Sequence, residues 1–231
     1  MLDEANFRVR LRLVIRDLTD AMQDYLREIY KLRLEGRRAT TSAIADRVGV
    51  RPPSATAMVK RLATLGLVEH ERYRGAELTP AGERVALEVI RHHRLLELYL
   101  SQALGLSLDE VHSEADRLEH ALSEELEARI DRSLGYPTHD PHGDPIPDAK
   151  LRIDRDQLRT LASLEPGDVA TIRRVPDDDD ALLRYLADHA LVPGETVTLT
   201  RAEPFGGPLI LRVGKAEHAI SRELAEGIGV T

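Results

Sequence analysis

Apolar positions follow a helical period through most of the first two thirds of the chain and a strand period towards its end. Residues 1–19 stand apart, because apolar and basic side chains alternate along 7–13, which is typical of a strand or a basic arm. From Thr19 or Asp20 the period becomes helical. The apolar stripe of this first predicted helix consists of Tyr25, Leu26, Ile29, Tyr30 and Leu32.

The next segments predict a helix, a turn, a second helix and a hairpin. Residues 41–50 form a short helical pattern with a turn at Gly49, and 55–65 form a second one that Gly66 closes. Pro53 suits the first turn of that second helix, since its missing N–H would have no partner there anyway. Strand-like residues then flank the sequence Tyr73-Arg74-Gly75. This order is that of a winged helix-turn-helix.

The remainder predicts helices first and strands afterwards. Long helices are expected over 80–103 and 107–134, and a proline-rich linker follows. Strand patterns then occupy 169–175, 195–200, 209–213 and 218–221, with a helix over 180–189. We predict an α+β chain that is mainly α, with four parts. These are an extension (1–19), a winged helix-turn-helix domain (20–80), a helical domain with its linker (81–150) and a small SH3-like β-barrel (151–231).

Charge is distributed unevenly, although the net charge of −8 alone argues against a nucleic-acid partner. Residues 1–94 contain 18 lysines and arginines against 13 acidic residues, whereas 95–231 contain 14 against 27. A basic first part suits DNA and an acidic second part suits cations. The absence of cysteine excludes disulfides and thiolate sites. No apolar run approaches the roughly 18 residues of a membrane span, and no signal peptide is evident, so we expect a cytoplasmic protein without a membrane partner.

The second helix of the helix-turn-helix is the element expected to enter the major groove of DNA. Small hydroxyl-bearing side chains there allow close approach to bases, and the basic side chains can neutralise phosphates. Two arginines at the tip of the wing are placed to reach the DNA backbone or the minor groove. The alternative is a module that binds only proteins. The candidate DNA-binding residues are Arg51, Pro53, Ser54, Thr56, Ala57, Lys60, Arg61, Arg72 and Arg74.

A second constellation combines imidazole and carboxylate groups on two neighbouring predicted helices. On one helix, the offsets 0, 4, 7 and 8 place four such residues on one face, beside an apolar stripe. On the helix before it, His93 and Glu97 are spaced i, i+4. Paired helices with this pattern can form a divalent-metal site, although any single pair is equally an ordinary surface ion pair. The four residues on the later helix are His112, Asp116, Glu119 and His120.

At these residues the chain closely resembles the diphtheria-toxin-repressor family of iron- and manganese-dependent regulators. The resemblance runs from about residue 20 to the C-terminus, where the last part resembles the family's ferrous-transport-A-like domain. The matching stretches are Asp24 to Tyr30, Ala43-Ile44-Ala45, Pro53 to Val59, Tyr73-Arg74-Gly75, Leu78 to Gly82, His93 to Glu97, His112 to His120 and Gly143 to Pro147.

The resemblance implies a homodimer whose helical domain serves dimerisation and whose two heads bind a palindromic operator when metal is bound. It implies a primary metal site of Asp24, Asp116, Glu119 and His120. It also implies an ancillary site of His93, Glu97 and His112, with help from the third domain, where Asp179 in an acidic run is the favoured donor. An acidic run in a loop is also commonly just solvated.

The choice of metal follows from two positions. Where iron-sensing members of the family have a methionine and a cysteine, this chain has Asp24 and Asp116, as manganese sensors do. Oxygen ligands favour Mn(II), with Fe(II) as the alternative cofactor. Arg27 departs from the glutamate that manganese sensors commonly have, which argues against their binuclear arrangement.

The function implied is a metal-dependent repressor of metal-ion homeostasis, and not an enzyme. Three alternatives remain at this stage. One is a winged-helix regulator that senses an organic ligand, with the histidines merely structural. A second is a helical di-metal enzyme, although the paired Glu and Glu-x-x-His arrangement of such enzymes is incomplete. The third is a cytosolic metal buffer or adaptor.

Overall fold

The computed structural model of the chain describes residues 15, 17–71, 75–154, 156–177 and 179–231. These residues form two compact units. The first runs to Arg91 and includes Ala149–Leu151, and the second comprises His92–Asp148 and Arg152–Thr231. None of the helices in these ranges combines the length and the apolar composition that a membrane span needs. The alternating segment 7–13 lies outside the described residues.

The first unit contains the predicted helix, turn, helix and hairpin. The side-chain oxygens of Thr19 and Thr40 cap the first two helices by accepting hydrogen bonds from backbone N–H groups. Gly49 ends the second helix at φ 70°, so the predicted turn is confirmed. Val68 pairs with Leu78 in the antiparallel hairpin. The elements are α1 (Asp20–Leu34), α2 (Thr41–Val48), α3 (Pro52–Thr64), β1 (Val68–Glu71), β2 (Gly75–Leu78) and the start of α4 (Pro80–Leu104).

In the second unit, the prediction of a single helix over 107–134 is wrong. The chain instead forms α5 (Leu108–Leu118), a 3₁₀ turn (Glu119–Ala121) and α6 (Glu124–Ser133). Leu122 is extended, at φ −68° and ψ 120°, and Ser123 then caps α6 by accepting a hydrogen bond from the Leu126 amide. A serine followed by acidic residues is a helix-start signal, and here it outweighs the continuous helical period.

The end of the chain folds into an antiparallel sheet with strand order β3-β8-β4-β5-β6-β7. Its four longer strands and α7 confirm the predicted pattern, whereas the two-residue strands and α8 are too short to leave a periodic signal. Ile172, Leu183 and Leu211 are fully buried in the core of this barrel. The elements are β3 (Arg159–Thr160), β4 (Val169–Arg174), α7 (Asp180–Asp188), β5 (Thr196–Ala202), β6 (Leu209–Val213), β7 (Ala216–Ile220), α8 (Arg222–Gly227) and β8 (Gly229–Val230).

Candidate metal centre and DNA-binding surface

Helix α3 presents the predicted DNA-binding residues on its solvent side. Ala55, Val59 and Leu62 are fully buried and fix the orientation of the helix. The hydroxyl of Thr56 donates a hydrogen bond to the Pro52 carbonyl at 2.9 Å. The exposed candidates are Arg51, Pro53, Ser54, Ala57, Lys60 and Arg61. Arg72 and Arg74, predicted at the wing, lie outside the described residues.

The metal candidates converge in the second unit around Glu97. The His93 Nε2 atom lies 2.9 Å from the Glu97 Oε1 atom, one helical turn further along α4. The His112 Nδ1 atom, from α5, lies 3.1 Å from that same oxygen and 3.1 Å from His93 Nε2. Glu97 is fully buried and His93 nearly so. Donor atoms from three side chains on two helices therefore lie within hydrogen-bond distance of one another, as the spacing of these residues predicts.

A second group of donors lies on the other side of the His93 ring. His93 Nδ1 lies 2.7 Å from Glu119 Oε2 and 3.4 Å from Asp116 Oδ1. The other carboxylate oxygen of Glu119 lies 3.3 Å from His120 Nε2. Glu119 and His120 occupy the 3₁₀ turn, so three of the four candidates expected on one helix reach this position, Asp116 from α5 and the other two from the turn. The fourth, His112, lies with Glu97. The imidazole of His93 thus contacts both groups of donors.

The sequence reasoning missed Asp140 and His142, which flank Pro141 in the segment interpreted as a linker. His142 Nδ1 lies 3.7 Å from Glu97 Oε2, and both residues are fully buried. Asp140 Oδ1 accepts hydrogen bonds from the amides of His142 and Asp144, each at 2.9 Å. A histidine and an aspartate two residues apart beside Gly143 were the available signal. Because Asp140 and His142 are far in sequence from α4 and α5, the sequence pattern does not show that they lie beside Glu97.

Two polar atoms that face each other, one on Glu97 and one on His142, show whether these residues fit a cation. Within the described ranges, neither Glu97 Oε2 nor His142 Nδ1 has a hydrogen-bond partner. A buried carboxylate oxygen without a partner is costly, and a divalent cation bound to nitrogen and oxygen atoms would satisfy both groups. The donor set therefore fits a metal ion.

Protons compensate the buried charges when no cation is present. Burial opposes the charged ring of His93, but the charge of Glu97 and hydrogen bonds to Glu119 and Glu97 raise its pKa to about 10. Burial likewise opposes charging of His142, and Glu97 raises the pKa of His142 to about 9. Despite the opposing effect of burial, the histidines around Glu97 hold its pKa well below the ordinary value. Burial and the charge of Glu97 raise the pKa of Asp140 to about 8.

The barrel holds His142 in place. The Val175 amide donates to the His142 carbonyl at 2.9 Å. At Gly143, φ is +90° and an added Cβ would lie 1.8 Å from the Arg173 carbonyl oxygen, so only glycine permits this approach. Arg94, next to His93 on α4, donates to the Pro145 carbonyl at 2.6 Å. The segment interpreted as a linker is therefore part of the centre.

The acidic run at 177–180 contains a helix cap and a charge that acts on the candidate centre. The Asp179 Oδ1 atom caps α7, accepting hydrogen bonds from the amides of Ala181 at 2.8 Å and Leu182 at 3.3 Å. Burial opposes the charge of Arg94 and His142, but nearby carboxylates, with Asp177 as a smaller contributor, raise the pKa of both. Ligation by Asp179 stays a prediction.

Asp24 lies on α1 in the first unit, where it is half-buried. An Arg27 guanidinium nitrogen lies 3.9 Å from Asp24 Oδ1. The other side of that guanidinium faces Glu28, with Arg27 Nε 3.3 Å from Glu28 Oε1. A fixed cation therefore stands beside the carboxylate of Asp24.

Three regions of the chain match known domain families. Residues 17–76 match the N-terminal DNA binding domain of the iron dependent repressors, and residues 79–148 match their metal binding and dimerisation domain. Residues 159–231 match the FeoA domain. The match of the last region agrees with the expected ferrous-transport-A-like barrel.

Whole proteins match as well. The iron-dependent repressor IdeR of Mycobacterium leprae is 36% identical over 227 residues, covering 93% of this chain and 98% of that protein. The diphtheria toxin repressor of Corynebacterium diphtheriae is 38% identical over 133 residues, covering 58% and 59%.

Solved structures agree with these relatives. A manganese-dependent transcriptional repressor in complex with manganese superimposes with a TM-score of 0.84 at 36% identity, covering 91% of this chain and 99% of that one. The manganese regulator SloR gives a TM-score of 0.76 at 30% identity, with 91% and 97% covered. The chain therefore belongs to the family of iron-dependent repressors, which are metal-dependent, DNA-binding transcriptional repressors and not enzymes.

Proposed function

We propose that this repressor is a homodimer that binds a palindromic operator when Mn(II) is bound, with Fe(II) as the alternative metal. The observation that carries the proposal is the buried Glu97 carboxylate, which faces three imidazoles, His93, His112 and His142. Every donor in this part of the structure is nitrogen or oxygen, which suits manganese better than metals that prefer sulfur.

The residues divide into two proposed sites. The ancillary site is His93, Glu97 and His112, to which we add Asp140 and His142 because their donor atoms lie with those of Glu97 within 4.8 Å of one another. The primary site is Asp116, Glu119 and His120, completed by Asp24 on the strength of the family resemblance. A divalent cation would neutralise the clustered carboxylates, which otherwise repel one another or take up protons.

The ligands themselves explain how metal can act on DNA binding. Asp24 lies in the head that carries α3, whereas the other primary ligands come from α5 and the 3₁₀ turn. Ligands that belong to different elements can select one orientation of the head, so that α3 of each protomer meets a major groove of one operator. Asp179 remains a proposed additional donor.

A gel-shift titration on the protein's own promoter regions tests the proposal, with manganese, iron(II), zinc or chelator present. We expect manganese to promote retention of the DNA and chelator to abolish it. Glu97→Gln should lose the manganese response because it removes the shared carboxylate charge. Glu114→Gln, on the solvent side of α5 with its carboxylate paired to Arg117, is the matched control and should behave as wild type. Operator affinity that saturating manganese leaves unchanged would contradict the proposal.

Calorimetry separates metal sensing from the rival in which an organic ligand is sensed. Metal titrated into wild type should give a larger total heat than an Asp116→Ala/Glu119→Ala variant, which keeps only the ancillary site. Equal heats would favour the organic-ligand regulator, in which these side chains are only structural.

A further inference from the structure

We propose that His92 is a positioning residue that holds the 3₁₀ turn carrying the metal ligands Glu119 and His120. The inference rests on the proposed function, because it concerns how those two ligands are presented. His92 directly precedes the proposed ligand His93 on α4 and contacts the turn and α6.

The turn needs support from outside. It spans only Glu119–Ala121, between the end of α5 and the extended residue Leu122. Short 3₁₀ segments have poorer hydrogen-bond geometry than α-helices, so they hold their side chains less firmly. A metal site loses affinity when its ligands are free to move, because binding must then order them.

His92 supplies such support through the backbone. Its Nδ1 atom lies 3.1 Å from the Glu119 carbonyl oxygen, and its Nε2 atom lies 3.3 Å from Glu127 Oε2. The ring is 12% exposed and the Glu127 side chain 2% exposed, so this connection is shielded from water. It links α4 to the turn and to the first turn of α6.

The adjacent residue completes the arrangement. His93 contacts the carboxylate of Glu119 at 2.7 Å, while His92 contacts its carbonyl. Successive residues on a helix point about 100° apart, which lets two neighbouring imidazoles reach opposite ends of one residue. Glu119 is thereby held by its side chain and by its backbone at once.

The chemistry of the two partners defines which substitutions can replace His92. A backbone carbonyl only accepts hydrogen bonds, so Nδ1 carries a proton towards Glu119. The Nε2 atom then lies against the carboxylate of Glu127, which also accepts hydrogen bonds. A side chain with several N–H donors, such as lysine, can satisfy both acceptors, whereas alanine satisfies neither.

Mn(II) binding to the full chain tests the proposal, measured by calorimetry and by the electron paramagnetic resonance of bound Mn(II). We expect His92→Ala to weaken binding at the primary site about 10- to 100-fold, the range found when groups that orient metal ligands are removed. Its Mn(II) spectrum should broaden, and the metal-free melting temperature should fall because the buried Glu127 carboxylate loses a partner. His92→Lys should recover both the affinity and the spectrum, and His92→Gln, with fewer donors, should fall between lysine and alanine.

His189→Ala is the matched control. His189 is also half-buried and also contacts a carbonyl, that of Tyr185 at 2.7 Å, but it caps the end of α7 opposite to Asp179. Its removal should leave Mn(II) binding unchanged. If His92→Ala does not fold, the ranking of lysine above glutamine carries the test.

Two results would overturn the proposal while leaving the metal sites intact. One is wild-type affinity and spectrum in His92→Ala. The other is a loss in His92→Ala that lysine does not restore, which would show that the imidazole itself is required. Failure of wild type to bind Mn(II) would overturn this inference and the proposed function together.

Discussion

At the scale of single residues, the centre depends on carboxylates and imidazoles that keep one another charged. Glu97 is the focus, because its two oxygens face different histidines and its burial makes any loss of a partner costly. In the absence of a cation, the compensating charges are protons on His93 and His142. A metal ion that binds there competes with those protons.

This competition predicts that Mn(II) affinity rises with pH. The pKa values of about 10 for His93 and about 9 for His142 lie above the ordinary 6.5, so both rings are charged at pH 7 and must lose a proton to bind metal. Affinity should rise by about tenfold per pH unit for each proton released. Calorimetry in two buffers of different ionisation enthalpy counts those protons, and a count of zero would contradict the assignment.

The same pKa shifts make the stability of the metal-free chain fall with rising pH, whereas Mn(II) affinity rises. Raised histidine pKa values contribute stability that is fully present below about pH 6.5 and is lost as the pH rises through 9 to 10. Metal-free protein should therefore lose stability over the pH range in which metal binding becomes stronger. The two trends can be followed separately by unfolding with and without Mn(II).

At the scale of elements, the helical and strand periods predicted α1, α4, α7 and the longer strands, because their apolar residues recur at regular spacing. They could not predict the break between α5 and α6, where the apolar stripe continues and only the cap at Ser123 marks the change. They also could not place His142, because proline-rich segments have no period. Its position depends on a hydrogen bond from Val175, the residue directly after β4, which is remote in sequence.

That contact gives a prediction at Gly143. Gly143→Ala should disturb both the barrel and the centre, because its Cβ would meet the Arg173 carbonyl and displace His142. Gly167→Ala is the matched control, since Gly167 has a similar φ of +101° but nothing within 4 Å of an added Cβ. Both variants incur the strain of a positive φ, of order 1 kcal/mol.

The difference between the two alanine variants isolates the close approach. In urea unfolding Gly143→Ala should lose clearly more stability than Gly167→Ala, and only Gly143→Ala should bind Mn(II) more weakly. Equal losses of stability, or unchanged Mn(II) binding in Gly143→Ala, would show that the segment does not position the centre.

At the scale of the whole molecule, the basic first part and the acidic second part correspond to the two functions of a metal-dependent repressor. The exposed face of α3 carries the proposed DNA-binding residues, and the second unit provides nearly all of the proposed ligands. The sequence indicated this division through charge and spacing. The family resemblance was needed for Asp24, whose role no local pattern reveals.

Because metal binding and DNA binding are assigned to different parts of one molecule, we predict reciprocal coupling between metal and DNA. If Mn(II) tightens operator binding by some factor, operator DNA must tighten Mn(II) binding by the same factor, which is typically about 5- to 150-fold. Mn(II) titrations with and without operator duplex measure one side of this cycle, and operator titrations with and without Mn(II) measure the other. A duplex of scrambled sequence is the control and should show weaker coupling.

Asp24→Ala should abolish the coupling while leaving Mn(II) bound at the ancillary site, because Asp24 is the proposed ligand from the DNA-binding head. Full coupling in Asp24→Ala would mean that the DNA-binding head senses the metal by a route that does not involve the carboxylate on α1.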